Sequence, residues 1–138
     1  MITAVDTNIL LDILLPNEEF YEASVAALQE AASEGSLVVS DVVYAELCVH
    51  FDTQRECDSF LLESEIRVLA STRDTQFLAS RAWRTYLQQG EKRERVLPDF
   101  LVGAHAQKQT SRLLSRDRGF YRQMFPSLSL RDPSRDGH

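Results

Sequence analysis

An α/β fold is predicted, with a mostly parallel sheet of about five strands covered by helices on both faces. Two patterns in the 138-residue chain lead there. Short β-branched or leucine-rich runs recur at 2–5, 37–40, 66–69, 112–115 and 128–130, and their lengths suit strands. Longer segments with helical spacing lie between them, at 18–33, 42–62 (two helices), 75–89 and 98–109. Strands alternating with helices imply crossover connections, which set successive strands parallel and bury the sheet from both sides.

The length suits one compact domain with one core, expected over 1–131, followed by a polar, frayed tail over 132–138 (DPSRDGH). The longest apolar run, Ile9 to Leu15, is broken by Asp12 and stopped by Pro16, too short for a bilayer span. With no basic start or small-residue cleavage site, the chain is expected in the cytoplasm. Cys48 and Cys57 form neither a CxxC nor a Cys/His pattern, so they read as ordinary thiols and not as a disulfide framework or zinc site.

Local punctuation supports the elements. Asn17 can cap the helix that follows, with Glu18 and Glu19 in its first turn. Gly35 is placed to close that helix in a left-handed turn. The stretch 88–95 (QQGEKRER) reads as a charged loop, and Pro98 supplies the fixed φ of a first helical position.

The net charge of −6 conceals a split. Residues 1–72 hold fourteen acids against two arginines, whereas 73–138 hold seven acids against thirteen bases. Such asymmetry can mark a surface facing a polyanion, or the two signs can mix on the folded surface.

Acids fall where chemistry would need them. In an open parallel sheet, ligands bind at the carboxyl ends of the strands. Asp6 follows the first strand, Asp41 the second and Asp117 the fourth. Glu46 and Asp99 lie early in helices that point toward the same rim. Converging carboxylates repel unless a cation sits among them. An oxygen-only set with no His or Cys suits Mg²⁺ or Mn²⁺, which can activate water and neutralise charge on a phosphodiester. Arg112, Arg116 and Arg118, with Lys108 and Arg122 nearby, could then hold the phosphate backbone. Each acid also has a plainer role. Asp6 and Asp99 can be helix caps or first-turn acids, Asp41 is the most cap-like, and Asp117 can open a turn with Gly119. Glu46 sits in an apolar helix, VVYAELCVHF, where a buried charge needs a partner.

Four blocks in order, VDTNILLD, VVYAEL, LPDFLVGAHA and LLSRDRGFYRQMFPSL, make the chain resemble the PIN-domain nucleases, and among them the VapC-like toxins of toxin–antitoxin pairs. The resemblance implies a three-layer α/β/α sandwich. It places an acidic quartet on Asp6, Glu46, Asp99 and Asp117, holding Mg²⁺ or Mn²⁺, with Asp6 and Asp99 as principal ligands. Asn8 supports the site and Thr7 is a weaker candidate. It further implies an endoribonuclease acting on RNA, commonly a homodimer, silenced by a VapB-like antitoxin that inserts a segment across the active-site groove.

Other residues carry plainer expectations. His105 and His50 read as helix-surface or core histidines, and Gly103 as a site of close packing of helix on sheet. Phe77, Trp83 and Tyr86 are core or a dimer surface. Leu11, Leu14, Leu15, Phe20 and Tyr21 are core or part of an antitoxin groove. Two competing functions stand beside the nuclease. An aspartate-based phosphotransfer protein would want a second aspartate where Asn8 stands, and a non-catalytic binding module would have no need of the quartet.

Overall fold

The structure, a computed structural model, describes residues 1–90 and 94–136. Its strands are β1 (Ile2–Val5), β2 (Ser36–Val39), β3 (Ile66–Val68), β4 (Arg112–Leu114) and β5 (Leu130–Arg131). The helices are α1 (Thr7–Leu14), α2 (Tyr21–Glu34), α3 (Asp41–Cys48), α4 (Gln54–Glu63), α5 (Arg73–Gln88), α6 (Leu97–Gln109), α7 (Arg118–Met124) and α8 (Pro133–Asp136). All five strands are parallel in the order β3-β2-β1-β4-β5. Helices flank the sheet in a three-layer α/β/α arrangement. Among the described residues no helix is long and apolar enough to cross a membrane.

Strand order fixes where a ligand can sit. From β1 the chain steps to β2 and β3, then crosses back to place β4 on the other side of β1. The connections therefore diverge between the carboxyl ends of β1 and β4, and the crevice at such a switch point is the usual binding place of an open α/β sheet. The core beneath it is continuous, built from Val5, Ile9, Leu10, Val38, Val39, Leu113, Leu114 and Phe100.

Several local expectations change. Thr7 and Asn8 open a helix, α1, that the apolar run concealed, because Asp6 caps it by accepting from the Thr7 amide at 2.8 Å. Asn17 does not cap α2, which starts later; its Oδ1 accepts from the Phe20 amide within the turn that holds Glu18 and Glu19. Asp41 is not a cap either, since Ser40 caps α3 and Asp41 Oδ1 accepts from the Ser71 amide and hydroxyl, tying down the segment after β3. Pro98 sits second in α6, after Leu97. Gly35 has φ 160°, extended and not left-handed. A Cβ there would stand 1.8 Å from the Met1 carbonyl oxygen, the acceptor of the Ser36 amide, so close approach explains it. The loop expected over 88–95 lies partly outside the described residues, at 91–93. The tail is not frayed as far as Ser134: Arg131 pairs with Glu30, and buried Asp132 accepts from the Ser134 amide and hydroxyl. Its last residues, 137–138, lie outside the described residues.

Histidine, cysteine and aromatic positions settle by burial. His105 is a core residue whose Nε2 donates to the Leu69 carbonyl at 2.7 Å, fixing its tautomer. Burial holds its pKa below the usual histidine value. Cys57 is buried, with a thiol pushed up to about 12 by that burial, and lies 3.6 Å from Cys48 Sγ. Tyr86 packs on Phe100 and Trp83 is half-buried against the core, while Phe77 is exposed beneath Arg81.

The close packing at Gly103 is against the Phe125 ring. A Cβ there would lie 2.4 Å from the ring, and Phe125 is itself buried. Gly103→Ala should gain about 1 kcal/mol of helix propensity and lose about 1–3 kcal/mol to overpacking. Urea unfolding is expected to show a net loss; a gain would mean that Phe125 moves freely.

Candidate active site at the switch point

The site begins with one carboxylate. Asp6 terminates β1, the central strand, and its amide donates to the Leu114 carbonyl at 2.9 Å, continuing the ladder to β4. That continuation drives the side chain under the crevice floor, where Asp6 is only 8% exposed. Its oxygens are heavily engaged. Oδ1 accepts from the Thr7 amide, and Oδ2 accepts from the Ser115 hydroxyl at 2.7 Å and the Tyr121 hydroxyl at 3.0 Å. Asn8 Nδ2 leans on the same oxygen at 3.5 Å.

These partners are positioned by strand ends and helix starts. Ser115 follows β4, and its oxygen also accepts from the Asp117 amide at 3.0 Å and from Asn8 Nδ2 at 3.3 Å. The hydroxyl is thereby saturated. Tyr121 lies on α7 and is buried; burial, and then the Asp6 charge, hold its phenol far above its usual pKa. It therefore stays protonated and donates. Burial also raises the Asp6 carboxyl above 3.8, against the hydrogen bonds from Ser115, Thr7 and Tyr121, and the nearby Glu46 charge adds to the rise.

The other sequence-derived acids surround this centre. Glu46 is not embedded in apolar surroundings; it is exposed on α3, and its Oε1 accepts from the Thr7 hydroxyl at 2.7 Å. Asp99 folds back so that Oδ2 accepts from the Val96 amide at 3.1 Å, closing the start of α6. The Asp99 and Asp117 charges both act on Tyr121. Asp117 is gripped by Arg95, whose Nη2 donates to Oδ1 at 3.1 Å while Nη1 donates to Oδ2. Among the described residues, no three of these groups stand close enough to hold an ion in this arrangement. The donor set nevertheless fits a hard divalent cation in kind: every donor is oxygen, and the buried Asp6 charge would gain from a cation.

The basic candidates separate. Arg112 opens β4, at the end of the strand away from the crevice, and bonds Thr3 and Glu34. Arg116 forks onto buried Asp12 at 2.8 and 2.9 Å and lies over the Phe20 ring at 3.9 Å. Its amide donates to Asn8 Oδ1. Both guanidinium groups are thus engaged within the fold. Arg118 begins α7 beside Asp117, and Arg122 is exposed on the same helix. Lys108 lies in the last turn of α6, whereas Asp99 lies in the first.

Four residues escaped the sequence reading: Asp12, Arg95, Ser115 and Tyr121. Ser115 had a usable signal, a polar residue ending an apolar strand just as Asp6 does. Arg95 stood four residues before Asp99 and read as loop charge.

A family model for the PIN domain matches residues 3–125. The chain belongs to the PIN domain family. No curated protein sequence matches it. Among solved structures, the chain is similar to VapBC-1 from nontypeable Haemophilus influenzae, at 20% identity and a TM-score of 0.72, over 98% of this chain and 100% of that one. It is likewise similar to VapBC2 from Rickettsia felis bound to a DNA fragment from their promoter, at 20% identity and a TM-score of 0.70, over 96% and 98%. A third is Mycobacterium tuberculosis VapC20, a Sarcin-Ricin loop cleaving toxin, at 18% identity and a TM-score of 0.53, over 80% and 86%. At these identities the likeness shows the PIN fold.

The buried Asp6 charge has a sign that can be measured. Its folded pKa is raised above 3.8, so the stability this carboxyl contributes is fully present below that value and is lost as pH rises through the folded pKa. Asp6→Asn should therefore gain on the wild type in thermal stability from about pH 4 upward when chelator is present. Added Mg²⁺ should narrow the gap by stabilising the wild type alone. A constant difference across pH would show that Asp6 is not the strained group.

Proposed function

We propose that this protein is a divalent-metal-dependent endoribonuclease of the VapC toxin kind, paired with an antitoxin. The observation that carries this is the Asp6 carboxylate, buried at the β1/β4 switch point with Glu46, Asp99 and Asp117 around it. A fold that buries a carboxylate against its own desolvation, in a crevice open to ligands, gains from a cation bound there. RNA is favoured as substrate because the similar VapC20 cleaves the Sarcin-Ricin loop. An antitoxin partner is favoured by the VapBC assemblies among the similar structures, and by exposed Tyr21, which with Val25, Leu28 and Ile66 lines a cleft of about 380 Å³.

In this reading Asp6 and Asp99 would hold Mg²⁺ or Mn²⁺, with Glu46 and Asp117 completing the oxygen set. The ion, when bound, supplies a water acidic enough to attack at neutral pH and a charge to offset the phosphodiester's. The chain's own residues prepare that site. Ser115, Tyr121 and the Thr7 amide fix the Asp6 carboxylate without rotamer freedom. Thr7 orients Glu46, and Asn8 bridges α1 to the Ser115–Arg116 segment. Arg118 and Arg122 place positive charge on α7, where the phosphate backbone would pass, Arg122 being exposed there.

Purified protein incubated with structured RNA is expected to cut it in Mg²⁺ and to stop in chelator. Asp6→Asn with Asp99→Asn should lower the rate by more than about a hundredfold, whereas Tyr121→Phe, which removes only a supporting hydrogen bond, should lower it about ten- to a hundredfold. Metal-independent cutting, or cutting that survives the double substitution, would sink the proposal.

A further inference from the structure

Arg95 holds both oxygens of Asp117 at once. A carboxylate gripped in that fork has no oxygen left to offer an ion on the same side. The guanidinium lies over the Phe120 ring at 4.5 Å, and the Arg95 amide donates to the Tyr86 hydroxyl at 3.1 Å. Ring and amide anchor the residue at the rim whether or not Asp117 is held. Asp99 also acts on it electrostatically. Its position is therefore that of a cation set among the acids by the chain itself.

The grip is of a breakable kind. The Arg95 and Asp117 side chains are each 32% exposed, and an ion pair that water reaches from both partners holds more weakly than a buried one. The neighbouring Arg116–Asp12 pair is different: the Asp12 side chain is 3% exposed and also accepts from Ser24 and Asn17. One pair builds the fold and the other can open. Arginine, with a planar fork that fits carboxylate and phosphate alike, can transfer from one to the other without changing its geometry.

We propose that Arg95 is the resident counter-cation of the acidic cluster and exchanges with the divalent ion. It holds Asp117 until the metal takes that carboxylate, and the released guanidinium then takes the phosphate of the RNA. This rests on the metal-dependent nuclease reading. It makes Arg95 a residue that opposes metal binding yet assists cleavage, two effects of opposite sign that a merely structural role cannot produce.

The test titrates Mn²⁺ alone into the full chain by calorimetry, for the wild type, Arg95→Gln, Asp117→Asn and the double variant, and then measures RNA cleavage at saturating Mn²⁺. Arg95→Gln is expected to bind Mn²⁺ about tenfold tighter, to lose that gain when Asp117→Asn is also present, and to cleave more slowly than the wild type. Arg95→Lys, which keeps charge without the fork, should bind Mn²⁺ between the two. Unchanged or weaker Mn²⁺ binding by Arg95→Gln, a gain that persists in the Asp117→Asn background, or full cleavage at saturating metal would each overturn the exchange. Absence of Mn²⁺ binding in the wild type and in Arg95→Gln would overturn the metal-dependent reading and the exchange together.

Discussion

Burying the carboxylate of Asp6 at the end of the central strand is the constraint on which the rest of the site depends. A lone carboxylate moved from water into a protein interior is costly enough that it must be met by donors or give up its charge. Here donors come from three directions: the next helix through the Thr7 amide, the neighbouring strand through Ser115, and α7 through Tyr121. Each of those groups is then fixed in turn. Ser115 receives the Asp117 amide, Thr7 holds Glu46, and Tyr121 is sealed into the core. Glu46 and Asp117 are therefore tied to the same groups that satisfy Asp6.

Arginines from the basic half settle much of the charge asymmetry inside the molecule. Arg112, Arg116 and Arg131 bond Glu34, Asp12 and Glu30, all from the acidic half. The split along the chain is in good part a set of cross-links between its early and late segments, brought together because β4 lies beside β1, and β5 beside β4. Those three arginines are therefore not available to a polyanion in this arrangement.

The two arginine forks differ in burial and not in geometry. Both are bidentate, and both lean on a phenylalanine ring. Removing a partner from the Asp12 pair would strand a charge in a dry site, a penalty of about 3–5 kcal/mol, so that pair stays closed. The Asp117 pair is wet on both sides, where such contacts are worth about 1 kcal/mol or less.

The sequence by itself determined the alternation of strand and helix, hence a parallel sheet, and it marked Asp6, Asp41, Glu46, Asp99 and Asp117 because period, turn chemistry and charge are local properties; the resemblance to the PIN-domain nucleases then set Asp41 apart from the other four. It also gave His105 and the cysteines their ordinary roles. It hid α1, since an apolar run looks alike as helix or strand, and it misassigned the roles of Asn17, Gly35 and Asp41, whose partners lie in the chain's own loops or in Met1 and Ser71. Only the tertiary structure decided that Ser115 and Tyr121 hold Asp6, that Arg116 belongs to Asp12, and that Arg95 grips Asp117. Those pairings join residues up to 115 positions apart. They exist because the sheet places β4 against β1, and no local pattern encodes which side chains meet there.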